Sequence, residues 1–133
     1  MQRDTVLRWI DQIGPLIARL LRRDTTISVQ LVREQLADAR AMLLGPIEPL
    51  AAHLDPPQAA ALLIDPFRIH GYSQLLALES AVERLDGRDD NAARLTARAI
   101  ALAKEAIERA DPAPREWTEW VAAAERELPA SPK

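Results

Sequence analysis

The chain of 133 residues has two imidazoles, His53 and His70, and no cysteine. A protein metal site needs three or four converging ligands. His53 has Asp55 beside it, and His70 follows Asp65 by five positions. Neither pair has the i, i+4 spacing of ligands on one helical face, and no His-Glu-x-x-His occurs. Both histidines therefore read as satisfied or solvent-facing side chains, with no metal expected. The carboxylates offer pairs one helical turn apart, Glu79 with Glu83 and Glu34 with Asp38. Such pairs could do acid–base work or hold a divalent ion. A di-metal bundle would add Glu-x-x-His on two helices, which is absent. Solvated helix faces are the expectation for these acids. The serines are Ser28, Ser73, Ser80 and Ser131, none in a Gly-x-Ser-x-Gly elbow, and four glycines leave no phosphate-cradling loop. No catalytic residue, no cofactor and no enzymatic activity are expected.

Binding chemistry has more to work with. Arg19, Arg22 and Arg23 cluster, and Arg94 and Arg98 share one side of a helix. Arginines in such groups can hold a phosphate or an acidic peptide. The first cluster is also what the negative end of a helix dipole favours. Trp117 and Trp120 lie three apart, and tryptophan is enriched at interface hot spots. The competing role for this pair is to seal the open end of a helical stack. Trp117, Trp120, Arg19, Arg22, Arg94 and Arg98 are thus the candidate partner-binding residues. Trp9 reads as core or core edge.

These side chains must be carried by helices. Ala, Leu, Arg and Glu dominate, and all are strong helix formers. No segment alternates with period two over strand length. An apolar stripe at Val6, Ile10, Ile13, Ile17 and Leu20 predicts a helix over about 4–22, kinked at Gly14-Pro15. A second helix is predicted over about 26–44, capped by Asp24, Thr25, Thr26 or Ser28. Its stripe is Val29, Val32, Leu36, Ala39 and Leu43, and Gly45-Pro46 ends it. Short helical segments follow at 50–54 and 58–64. Asp55-Pro56 and Asp65-Pro66 read as helix starts, because proline fits the first helical position behind an Asp cap.

A long helix is predicted from Pro66 to about Leu85. Leu75, Leu78, Val82 and Leu85 line one face, widened by Ile69, Tyr72 and Leu76. After a turn at 86–90, Asp89 or Asp90 should cap a helix over 91–110 with two apolar stripes. One is Ala93, Thr96, Ile100, Ala103 and Ile107; the other is Leu95, Ala99, Leu102 and Ala106. That arc is wider than a single-sided helix requires and places this helix between two neighbours. A last helix after Asp111-Pro112-Ala113-Pro114 carries Trp117, Trp120, Val121 and Ala124 on one face. The expected organisation is one all-α domain over 1–133. It comprises a hairpin at 4–45, a proline-rich connector at 46–65, a hairpin at 66–110 and a capping helix at 111–128. The hairpins stack as a short repeat array or form an irregular bundle of about five main helices.

The second hairpin resembles tetratricopeptide-type repeats. It runs Leu78-Glu79-Ser80-Ala81-Val82-Glu83-Arg84-Leu85, then Asp86-Gly87, then an alanine-rich helix, then Asp111-Pro112. The Trp and Leu-Gly landmarks of a standard first helix are missing, Ile69-His70-Gly71-Tyr72 echoes them, and the second helix is longer than such a repeat. Asp4-Thr5-Val6-Leu7-Arg8-Trp9-Ile10-Asp11-Gln12-Ile13-Gly14 and Ile17-Ala18-Arg19-Leu20-Leu21 resemble the opening of a bacterial family of small, uncharacterised helical proteins. Residues 26–44 and 70–110 are similar to its later helices; Pro15 and the two-tryptophan tail depart from it. This resemblance implies a helical fold and a bacterial, cytoplasmic setting, and it carries no functional residue.

The totals narrow the function further. A net charge of −3 lacks the basic surplus of a nucleic-acid binder. No apolar run approaches the ~20 residues that span a bilayer. The opening MQRDTVLRWIDQ lacks the apolar core of a signal peptide, so the cytoplasm is the expected location. The reading is a non-catalytic interaction or scaffold module whose partner is a protein or peptide, a second copy included. The alternative is a small-ligand or regulatory protein with an interhelical pocket, lined by polar groups such as Tyr72, His70 or Arg19.

Overall fold

A computed structural model describes residues 28–127, together with Arg8, Pro15, Ala18, Arg19 and Arg22. The kinked helix expected over 4–22 and its pairing in a first hairpin, with Trp9, Arg23 and the segment after Glu127, therefore lie outside the described residues. Arg8, Pro15, Ala18 and Arg19 are themselves helical, and the Arg22 N–H donates to the Ala18 carbonyl at 3.2 Å.

The described residues are all-α, with no strand among them. α1 (Val29–Leu44) leads through a 3-10 turn (Gly45–Ile47) into α2 (Glu48–His53), α3 (Pro56–Leu63), α4 (Pro66–Leu85), α5 (Asp89–Arg109) and α6 (Arg115–Glu127). Of the possible caps for α1, Ser28 takes the role: its hydroxyl accepts from the Leu31 N–H at 3.0 Å. Asp55 and Asp65 cap α3 and α4, each ahead of a proline at the first helical position. At Asp55 the capping box is complete, with Gln58 returning a side-chain bond to the Asp55 N–H. α4 ends in a Schellman motif. The Arg88 N–H reaches the Glu83 carbonyl, the Gly87 N–H reaches the Arg84 carbonyl, and Gly87 sits at φ 79°.

Two sequence expectations are corrected here. The N-cap of α5 is Arg88, with no side-chain cap bond; Asp89 and Asp90 fall in the first turn, where negative charge meets the positive end of the dipole. Leu85 is exposed rather than lining the apolar face of α4, because it falls in the last turn, next to the connection at the closed end of the hairpin.

Packing follows the stripes. Val32, Leu36, Ala39, Leu43 and Leu44 of α1, which packs on α4, are buried in one core with Ile69, Leu75, Leu76 and Val82 of α4, and that core continues to Ala99, Leu102 and Ala106 of α5. The other face of α5, Ile100 and Ala103, packs on Val121 of α6 with Ile107, Trp120 and Ala124 around it. α5 is thus sandwiched, as its double stripe requires. It lies against α4 on one side, with α3 and α6 also packed on it.

Among the described residues one residue other than glycine has a positive φ. Ile64, expected inside the short helix, lies one residue past α3 at φ 68°, ψ −60°. The Asp65 N–H closes a tight three-residue turn onto the Leu63 carbonyl at 2.7 Å. A β-branched residue at positive φ costs about 1–2 kcal/mol against a relaxed backbone.

Candidate functional site

α4 is the element through which most of the polar side chains act. Its inner face turns serines toward α5. Ser73 Oγ donates to the Ala99 carbonyl at 2.7 Å, and Ser80 Oγ donates to the Ala92 carbonyl at 2.7 Å. Thr96 Oγ1 lies 2.6 Å from Ser80 Oγ. The two serines are seven positions apart, as are their two acceptors, so the antiparallel register repeats after two turns. Small side chains here, Ala92 and Ala99 among them, let the two helices approach closely.

On another side of α4, the His70 ring stacks on Trp117 with centroids 4.3 Å apart and planes 9° apart. Phe67 meets the same indole edge-on at 4.9 Å. Burial holds the His70 imidazole neutral, with its pKa lowered to about 4. His70 Nε2 and, one turn on, Gln74 Nε2 are buried without a hydrogen-bond partner. Buried polar atoms are rarely left so. These two nitrogens are the part of the molecule best placed to hold a water or a small polar ligand.

The candidate partner-binding residues separate in space. Trp117 is 6% exposed, so its ring belongs to the core that joins α6 to α4. Trp120 is half-buried between the two parts of the core. Arg98 points inward. Nη1 donates to the Leu54 carbonyl and Nη2 to the Ala51 carbonyl, both at 2.8 Å, with the guanidinium 5.9 Å from the Tyr72 ring centre. It thereby satisfies carbonyls at the C-terminus of α2. Arg94, one turn away, is exposed and donates to Asn91 Oδ1 at 2.6 Å. Arg19 is half-buried and Arg22 exposed.

The carboxylates expected as solvated faces divide as well. Glu34 is exposed and accepts from Gln30, and Asp38 is exposed. Glu83 corrects the expectation, being 3% exposed. Arg33 Nη1 donates to its Oε1 at 2.6 Å, and this bond pulls the Glu83 pKa below the usual carboxylate range against the opposing effect of burial. Arg33 also holds Asp86 at 3.0 Å. Glu79 is half-buried, and burial raises its pKa although Arg40 Nη1 lies 3.0 Å away. Arg40 bridges on to Glu48 at 3.3 Å. Both acids of this pair are tied to α1 by arginine. Among the described residues no three His, Asp or Glu side chains gather as a metal site, and no helix is long and apolar enough to cross a membrane.

Sequence reasoning missed Ser73, Ser80, Arg33 and Arg40 as partners in these contacts, and Gln74 as a buried side chain with a nitrogen left over. Their types were visible and the helix faces were legible. The seven-residue spacing of Ser73 and Ser80 was the one available signal.

No family model matches the chain. No curated protein matches it, and no solved structure matches it.

Proposed function

We propose that the chain is a non-catalytic, tetratricopeptide-like interaction module of the bacterial cytoplasm that binds a protein or peptide partner. One observation carries this reading. Leu31, Met42, Leu50, Ile64 and Leu85 are large apolar side chains left exposed around a closed core, with Met42 at 54%, Leu50 at 53% and Ile64 at 76%. Single exposed hydrophobics are ordinary, but here one of them is held out by a strained backbone. The internal use of Trp117 and Arg98 moves the expected contact away from those residues and onto these.

The test compares wild type with a Met42→Ser, Leu50→Ser, Ile64→Ser variant by light scattering and by affinity capture from the host. Capture of a defined partner, or self-association, by wild type alone supports the reading. Equal behaviour of the two proteins overturns it.

The unpartnered His70 and Gln74 nitrogens favour a second reading, a small polar ligand held between α4 and α6. Native mass spectrometry decides this one. A bound small molecule that disappears with Gln74→Leu supports the ligand reading, and a bare chain mass refutes it.

A further inference from the structure

We propose that the outward face of α3, closed by Ile64, docks a basic amphipathic helix of a partner protein. The inference rests on the interaction-module reading and specifies its surface and the partner's chemistry.

α3 has the sequence PPQAAALL, without one charge. Its inner residues Ala59, Ala60 and Leu63 are buried, which leaves Pro57, Gln58 and Ala61 facing outward. A helix on a protein surface ordinarily presents charged residues to water. Here the outward face is uncharged, and the chain then places Ile64 at its end, 76% exposed. The turn that holds Ile64 is closed by the Asp65 N–H on the Leu63 carbonyl, with Ile64 at φ 68°. Glycine would occupy that backbone with less strain. The residue present instead offers a large, rigid apolar side chain.

Charge gives the occupant its sign. Residues 46–65 hold three carboxylates and no lysine or arginine, and of the three Glu48 is paired with Arg40 of α1. Asp55 and Asp65 stand at the two ends of α3. Each accepts one backbone N–H through Oδ1, at 2.9 Å, and among the described residues neither is ion-paired. Two arginines near this region bond backbone carbonyls and neither of these two carboxylates. Arg68 donates to the Leu43 and Leu44 carbonyls, and Arg98 to those of Ala51 and Leu54. The face is therefore an uncharged, largely apolar strip with a carboxylate outside any ion pair at each end. An eight-residue helix is roughly 12 Å long, so the matching partner carries an apolar stripe flanked by Arg or Lys about two to three turns apart. A second copy presenting the same face would set like carboxylates together, which disfavours self-docking.

The experiment selects helical peptides from a displayed library against the full chain, then measures binding of the selected peptides by fluorescence anisotropy. Three proteins are compared: wild type, Ile64→Gly, and Asp55→Asn with Asp65→Asn. Asparagine caps a helix about as well as aspartate, so the second variant removes charge while keeping both helix starts. The expected peptides are basic. Ile64→Gly weakens them about tenfold or more while the thermal midpoint stays level or rises. The double variant weakens them severalfold, and added salt does the same to wild type. A purely structural role for Ile64 predicts a change in midpoint alone. Selected peptides that are acidic, or that bind Ile64→Gly as well as wild type, overturn this surface and leave the interaction reading standing. A selection that yields no binder overturns both.

Discussion

In the α4–α5 hairpin, Ser73 and Ser80 make their hydrogen bonds to carbonyls of the neighbouring helix, and alanines let the two backbones close on each other. In the connector over 46–65 and the end of α1 that feeds it, the reach comes from outside. Arg68 and Arg98 extend long side chains onto carbonyls at the ends of α1 and α2. The hairpin is thus held by short side chains in a repeating register, and the connector by single guanidinium clamps. The first arrangement tolerates little added volume. The second tolerates volume but depends on one planar donor group at each point.

The largest loss is expected inside the hairpin. Ala99→Leu forces a large side chain where Ser73 already meets the backbone. It is expected to destabilise by about 3 kcal/mol, read as a lowered urea midpoint. Next comes the clamp. Arg98→Ala leaves the Ala51 and Leu54 carbonyls without their charged donor and should cost about 2 kcal/mol. Arg98→Lys should restore less than half of that, since an ammonium cannot match the fork. If lysine restores the full midpoint, the clamp description fails.

Acid tests the contact between the α4–α5 hairpin and α6, the stack of His70 on Trp117. The folded-state pKa of His70, about 4, lies below the ordinary 6.5. The unfolded chain therefore binds the proton more readily than the folded one. Stability from this group is full above pH 6.5 and declines as pH falls toward 4. The expected loss is on the order of 1–2 kcal/mol, because the ring is only partly withdrawn from water. Tryptophan fluorescence during urea unfolding at several pH values would follow it, and His70→Phe should flatten the slope in that window. Glu83, held low by Arg33, adds its own loss as pH falls below the ordinary carboxylate range.

The smallest effect falls on a single hydroxyl. Ser73→Ala removes one hydroxyl bond but no volume that matters to the register, so about 1 kcal/mol is expected. A loss as large as that from Arg98→Ala would mean the serine bonds, rather than close packing, hold the hairpin.

Much of the fold was legible along the chain. Asp-Pro pairs mark the starts of α3 and α4, Gly45 marks the end of α1, and the double stripe on α5 announced its two neighbours. Each of these is a local signal, readable within a turn or two. The role of Arg98 was not readable in this way. Its partners lie 44 and 47 positions away, and an exposed-looking arginine on a helix carries no mark of which carbonyls it will meet. Trp117 shows the same thing: both candidate roles suited its position, and only the approach of Phe67 and His70 from α4 made it core. Glu83 looked like half of a solvated pair until Arg33, fifty positions earlier, closed over it.

Proline, glycine, aspartate caps and apolar spacing were enough to determine, from the sequence, where helices run and which faces they hide, because those effects act over three or four residues. The crossing of α1, α4 and α5 decided which polar groups are neutral, paired or left over, because desolvation and hydrogen bonding depend on neighbours that only folding brings within reach. Ile64 belongs to the second kind: its place near α3 was foreseeable, but its exposure at positive φ is set by how the turn must deliver the chain from α3 into α4.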